Sequence, residues 1–256
     1  KYPNSFSGAE MDENSDRYGD RDAYNRQEAL RENYESYADI QKRFKLTNAD
    51  EKALLQGELI TRRDIIDLEG LNELETETLQ TRPRGGVLPR RLEAYGHYNI
   101  ACAIDFGSYR DLQRHRNGIA PLPLLEPRFG MFKWYREELA ALLGEDYKEL
   151  ELATNTLYGQ IEDLPNQGIE ADPLLTQYLL PMGTTAICTV SYSVPQMIYV
   201  GELRSGKTVH PSLRPIAQGF LKTLEQDLPG IALHGDMDED SWSEKRGTQT
   251  ITEKAG

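Results

Sequence analysis

The stretch "TTAICTVSYS", residues 184–193, most constrains the fold. Its β-branched residues and alternating pattern mark the clearest strand in the chain. It runs straight into "SVPQMIYVGELR", where Ser193 and Gln196 read as a capping box and Pro195 falls in the first helical turn, where a missing N–H costs nothing. Weaker strand candidates lie near 98–106, and helices precede and follow. That order predicts an α+β fold, mixed helices around a small sheet, rather than a regular βαβ wind.

Apolar spacing predicts the helices. Leu30, Tyr34, Tyr37, Ile40 and Phe44 recur every three or four residues over Tyr24–Phe44. A second candidate runs from Asp50, read as its N-cap, towards Leu79, with a charge-rich centre that allows two shorter helices and Pro83 as a stop. Ile100–Arg116, Met131–Leu143 and Tyr147–Leu164 read as helices, the last with Leu150, Ala153, Leu157, Ile161 and Leu164 on one face. A final helix from Ser212 buries Leu213, Ile216, Ala217, Phe220 and Leu224.

Composition divides the chain. Hydrophobic residues are 38% and charged residues 28%. The ends, rich in Asp, Glu, Ser, Asn and Gly, hold few apolar residues. The expected organisation is a disordered acidic tail over 1–28 and a helical N-terminal region with linker over 29–91. The main domain follows over 92–233, then a disordered tail over 234–256. No apolar run is long enough to span a bilayer and no signal peptide heads the chain, so a cytoplasmic protein with no membrane partner is expected. The first residue is Lys1, as in a fragment or a processed product. Cys102 and Cys188, far apart in sequence among apolar neighbours, read as buried reduced thiols. With no CxxC, no HExxH and four histidines, no metal site is expected.

The formal net charge is −13, from 29 Lys+Arg against 42 Asp+Glu, and speaks against a nucleic-acid binder. Against that background "YRDLQRHRNG" (109–118) gathers Arg110, Arg114, His115 and Arg116. On a helix Arg110 and Arg114 share a face and repel unless an anion sits between them; Asp111 and His115 have the spacing to pair. A helix C-terminus attracts cations, which accounts for Arg116 but not for Arg110. Anion binding is the other reading, and Arg suits a phosphate through its planar fork. The arginines of "TRPRGGVLPRR" (81–91) read as a solvated linker or as a phosphate-reaching arm. "GELRSGKT" (201–208) formally matches a P-loop but lies in a helical context with no preceding strand, so the match is set aside.

Three pieces, over roughly 92–231, resemble the flavin-dependent thymidylate synthases: "YGHYNIACAIDFGSYRDLQRHR" with its R-H-R, "YLLPMGTTAICTVSYSVPQMIYVGELR", and "HPSLRPIAQGFLKTL". The resemblance implies a homotetramer with FAD between subunits. It implies methylation of dUMP to dTMP with methylenetetrahydrofolate and NADPH, with no protein nucleophile. It implies that His97, Arg114, His115, Arg116 and His210 lie against FAD, and that Arg204, with Arg110, binds the substrate nucleotide. The family's S-x-R after R-H-R is replaced here by Leu124 and Glu126, and its N-x-R-x-x-x-N by Ser193, Pro195 and Tyr199. These departures keep a second expectation open. The chain would then be a non-catalytic degenerate partner, or half of a duplicated protein, that keeps the fold for pairing with an intact domain or for binding another nucleotide.

Overall fold

The computed structural model describes residues 34–64, 70–168, 173–239 and 241–243. At its centre is a three-stranded antiparallel sheet in the order β2 (Ile60–Asp64), β3 (His97–Asp105), β5 (Thr185–Ser193). β3 and β5 pair along their whole length, from His97 opposite Ser193 to Asp105 opposite Thr185. A short parallel pair, β1 (Tyr34–Glu35) with β4 (Leu122–Pro123), lies apart from it. The mixed helix and small-sheet architecture expected from the sequence is present.

Helices cover both faces of the sheet. On one, Tyr98, Ile100, Cys102, Ile104, Cys188, Val190 and Tyr192 pack against α4 (Phe106–Gln113), α7 (Val194–Arg204) and α8 (Arg214–Asp227). On the other, Ala101, Ala103 and Ile187 meet Tyr37, Ile40 and Phe44 of α1 (Tyr37–Phe44) and Leu54 of α2 (Asn48–Gln56). The N-terminal helices therefore share a sheet with the expected main domain, and β2, between α2 and α3 (Glu73–Thr81), is its edge strand.

Double coverage explains the first correction. Ile100–Arg116 is not one helix: β3 runs to Asp105 and α4 starts at Phe106. A strand buried on both faces loses the alternation that identifies strands, and "IACAI" cannot be told from a buried helix by periodicity. The small Ala101 and Ala103 lie on the face covered by α1 and α2. Cys102 and Cys188, 86 residues apart in sequence, are buried and directly opposite each other, with sulfurs 3.5 Å apart.

Other corrections are local. Asp50 is the third residue of α2; Thr47 is the N-cap, closing a capping box with Asp50. Ser193 is the N-cap of α7, but its side chain makes no capping bond, so the expected box with Gln196 does not form. The 50–79 candidate resolves into α2 and α3 with β2 between them. Residues 24–33 of the first expected helix and the tail 1–28 lie outside the described residues.

After α5 (Lys133–Leu143), the face expected to be buried on α6 (Tyr147–Glu162) is largely open. Ile161 is buried, but Leu150 and Leu157 are 36% and 39% exposed. The helix instead turns Tyr158 inward, where its hydroxyl meets Thr184 Oγ1 at 2.9 Å. Burying that large ring together with a satisfied hydroxyl outweighs burying a leucine at the same spacing.

The C-terminal segment, expected to be disordered from 234 on, is docked as far as Ser243. His234 Nε2 donates to Arg82 O over 2.8 Å, Asp236 lies 3.2 Å from the buried Arg214 guanidinium, and Trp242 Nε1 donates to Val209 O. An acidic segment packs here because it meets a buried cation that has no other carboxylate partner among the described residues.

Candidate functional site

The arginine-rich stretch forms one end of α4. Asp105 closes β3 and caps α4, accepting from Ser108 N at 2.8 Å. The helix lasts eight residues, and Arg114, its C-cap, keeps the helical bond to Arg110 O. The chain then turns through His115, Arg116 and Asn117. Gly118 passes so close to Tyr192 that an added Cβ would lie 2.3 Å from its ring, so only glycine fits. Ile119 pins the turn to the sheet by a reciprocal pair of bonds with Ser191.

At this turn the residues divide into tied and open. Arg204, at the end of α7, donates from Nε to His115 Nε2 over 3.0 Å and from Nη2 to Asp111 O over 3.2 Å, with Asp111 Oδ2 3.5 Å away. Asp111 also reaches Arg114, at 3.3 Å. Arg204 thus stands between the two residues whose spacing suggested a direct pair. His115 is buried, its Nε2 accepts, and Tyr199 meets its ring edge-on. Burial, and secondly the Arg204 charge, lower its pKa; Asp111 opposes them.

Arg114 and Arg116 are open. Both line a cleft of about 480 Å³ with Gln113 and the Gly118–Pro121 segment. The Arg114 side chain is 69% exposed, and among the described residues Arg116 and Arg110 make no side-chain hydrogen bond or ion pair. Two guanidiniums at one open cleft, with a single carboxylate behind them, are suited to a phosphorylated ligand.

His210 lies elsewhere, beside the start of α4. Its Nδ1 is 2.8 Å from Ser212 Oγ, and Ser212 bonds to the fully buried Asp105 and to Ser108. Trp134 and Tyr135 flank the ring, and Tyr135 has its pKa pushed up to about 12 by burial and then by Asp105. This cluster escaped sequence reasoning because its members come from three separate segments. His97 is exposed at the opposite end of β3 from Asp105, about 26 Å away at 3.3 Å per residue. Of the five residues expected around a flavin, Arg114, His115 and Arg116 are consecutive at this turn, His210 lies beside the start of α4, and His97 is opposite Ser193, two residues along β5 from the Ile119–Ser191 pair.

Two sequence readings find their structural reason. Gly201 of the P-loop-like stretch lies inside α7, and an added Cβ would come 2.7 Å from Leu221. It permits close helix packing rather than cradling a phosphate. Leu124 and Glu126 serve the fold: Leu124 N bonds to Glu35 O, and Glu126 pairs with Arg128 at 2.7 Å. Among the described residues no group of three His, Cys, Asp or Glu side chains is placed to hold a metal, and no helix is long and apolar enough to cross a membrane.

No family model matches the chain. A UPF0159 protein of Chlamydia pneumoniae is 28% identical over 151 residues, covering 59% of this chain. The match covers 27% of that protein, so the chain spans about a quarter of the length of the curated relative it matches. Among solved structures, thymidylate synthase X from Helicobacter pylori, determined with FAD and dUMP, is similar with a TM-score of 0.44 and 14% identity, over 65% of this chain and 93% of that one. The likeness is loose, and the fold rests on the sheet and its two helical layers.

Proposed function

We propose that the chain is a flavin-dependent thymidylate synthase-like domain that binds the phosphates of FAD at the Arg114–Arg116 cleft. The open guanidiniums at a turn rigidly tied to α7 and β5 carry this reading. The donor set fits a pyrophosphate, which accepts several charge-assisted bonds at once. The cleft residues alone do not complete a ring site, because His210 lies beside the opposite end of α4. FAD, when bound, would supply hydride transfer, and this chain's residues would hold and orient its phosphates. The methylation of dUMP to dTMP with methylenetetrahydrofolate and NADPH then needs a second copy or a companion domain to complete the site. A neighbour binding dUMP and FAD, and a relative more than twice as long as this chain, are in keeping with that.

The second reading is a non-catalytic partner domain. It is favoured by the 122–126 segment, which is occupied as a strand and ion pair rather than free to grip a nucleotide. The absorbance spectrum of the purified chain tests both. Oxidised-flavin bands, before or after incubation with FAD, support the first. Colourless protein that takes up no FAD leaves the second. With flavin bound, its oxidation by dUMP and methylenetetrahydrofolate separates an enzyme from a flavin-binding partner.

A further inference from the structure

We propose that the acidic segment after α8, residues 231–239 and 241–243, is a reversible strap whose docking fixes the last turn of α7 and, through Arg204, the turn that carries Arg114, His115 and Arg116. Docking of the strap and binding of an anion at that turn then favour each other. The proposal rests on the preceding reading only in taking pyrophosphate as the probe of the cleft.

The strap supplies what the end of α7 lacks. A helix leaves its last carbonyls without partners, and a left-handed glycine often closes them. α7 ends at Arg204, and Gly206, just past it, keeps a φ outside the left-handed region. The partners come from elsewhere: Arg214 Nε donates to Ser205 O over 2.7 Å, and Ser243 N donates to Lys207 O over 2.8 Å. On either side of Arg204, His234 N donates to Glu202 Oε1 over 2.8 Å and Asp236 N donates to Ser205 Oγ over 3.0 Å. The buried Arg214 guanidinium joins helix end and strap, since its Nη2 donates to Ser241 Oγ over 2.6 Å and to Asp238 O. At Gly235 an added Cβ would lie 2.0 Å from Leu221 and 2.8 Å from Ser205 Oγ, so the strap lies flat against α8 and the end of α7.

The same contacts let the strap open. Ile231 and Leu233 pack on the core, but beyond them the attachment is by hydrogen bonds and one buried cation, and Met237 and Trp242 are 40% and 41% exposed. A segment that buries so little apolar surface opens at a lower free energy than the sheet beneath it. Opening frees the α7 end, so Arg204 loses its fixed position and with it the bonds to His115 Nε2 and Asp111 O. The arginine turn keeps its tie to β5 through Ile119 and Ser191 but loses the one to α7. A cleft less organised in advance binds its anion more weakly. By linkage, an anion in the cleft holds the strap down by the same factor.

Gly235→Ala lifts the strap without removing a polar partner, and Trp242→Ala breaks its bond to Val209 O; neither residue lines the cleft. Hydrogen–deuterium exchange, NMR titration of His115 and calorimetry with pyrophosphate read the outcome on the full chain. Exchange should rise in the strap and the last turn of α7 and stay unchanged in β3 and β5, which shows that the variants are folded. The His115 titration should move upward towards its ordinary value as the Arg204 charge withdraws, and pyrophosphate should bind at least about fivefold more weakly. In the wild type, pyrophosphate should slow exchange in the strap. Faster exchange in the strap with His115 and pyrophosphate affinity unchanged would overturn the coupling, as would a strap indifferent to both substitutions. A wild type that binds no pyrophosphate would instead overturn the phosphate reading of the cleft, while the His115 shift would still support the hold of the strap on Arg204.

Discussion

Arg204 donates to the Nε2 of His115 across 3.0 Å, joining the end of α7 to the turn after α4. The bond requires an unprotonated Nε2, and burial and the Arg204 charge hold the imidazole neutral by lowering its pKa below the ordinary 6.5. Between the lowered folded pKa and 6.5 the unfolded chain binds more protons than the folded one. This contribution to stability is therefore complete above about pH 6.5 and is lost as pH falls through the folded pKa. Urea midpoints measured from pH 7.5 down to 5 should fall, and His115→Gln should flatten that part of the profile. A slope unchanged in the variant would assign it to other groups.

The tied and open arginines should separate by experiment. Arg204→Ala removes the donor to His115 Nε2 and to the Asp111 carbonyl, and should cost about 1–3 kcal/mol of stability. Arg114→Ala removes an exposed side chain with one surface ion pair, and should change stability by less than about 1 kcal/mol while abolishing flavin retention. Thermal unfolding and absorbance after gel filtration read the two effects. Flavin loss in Arg204→Ala at a temperature where it remains folded would show that Arg204 also touches the ligand.

Cys102 and Cys188 face each other in the core with no exposure to a reagent. Burial, then Cys102, pushes the Cys188 thiol upward, which keeps it a thiol at neutral pH. Both should react with an aromatic disulfide reagent only as fast as the protein unfolds, and at once in strong denaturant. Rapid reaction of either in the native protein would mean that the β3–β5 pairing opens.

Gly201 carries the contact of α7 with α8, where Leu221 leaves no room for a methyl group. Gly201→Ala should destabilise by about 1–3 kcal/mol through overpacking, despite the better helix propensity of alanine. A denaturant midpoint at or above the wild-type value would show that Leu221 yields freely.

Much of the architecture was legible in the amino acids. The β-branched run of β5, the strand-to-helix passage at Ser193 and the apolar spacing of α8 are local signals, and all three elements are present in the structure. β3 registered only as a weaker strand candidate near 98–106, in competition with a helix over Ile100–Arg116, because a strand covered on both faces and poor in β-branched residues has no alternation to mark it. The cluster at Arg114–Arg116 was visible as a charge anomaly. Its division was not, since Arg204 and Asp111 are 93 residues apart in sequence and spacing says nothing of who neutralises whom. The same holds for Arg82 and Glu202, and for Cys102 and Cys188, which a strand register brings together. Secondary structure follows short-range periodicity and could be read residue by residue. Which arginines remain open, which histidine is held neutral and which polar groups lack partners depend on long-range packing, and only the folded chain decides them.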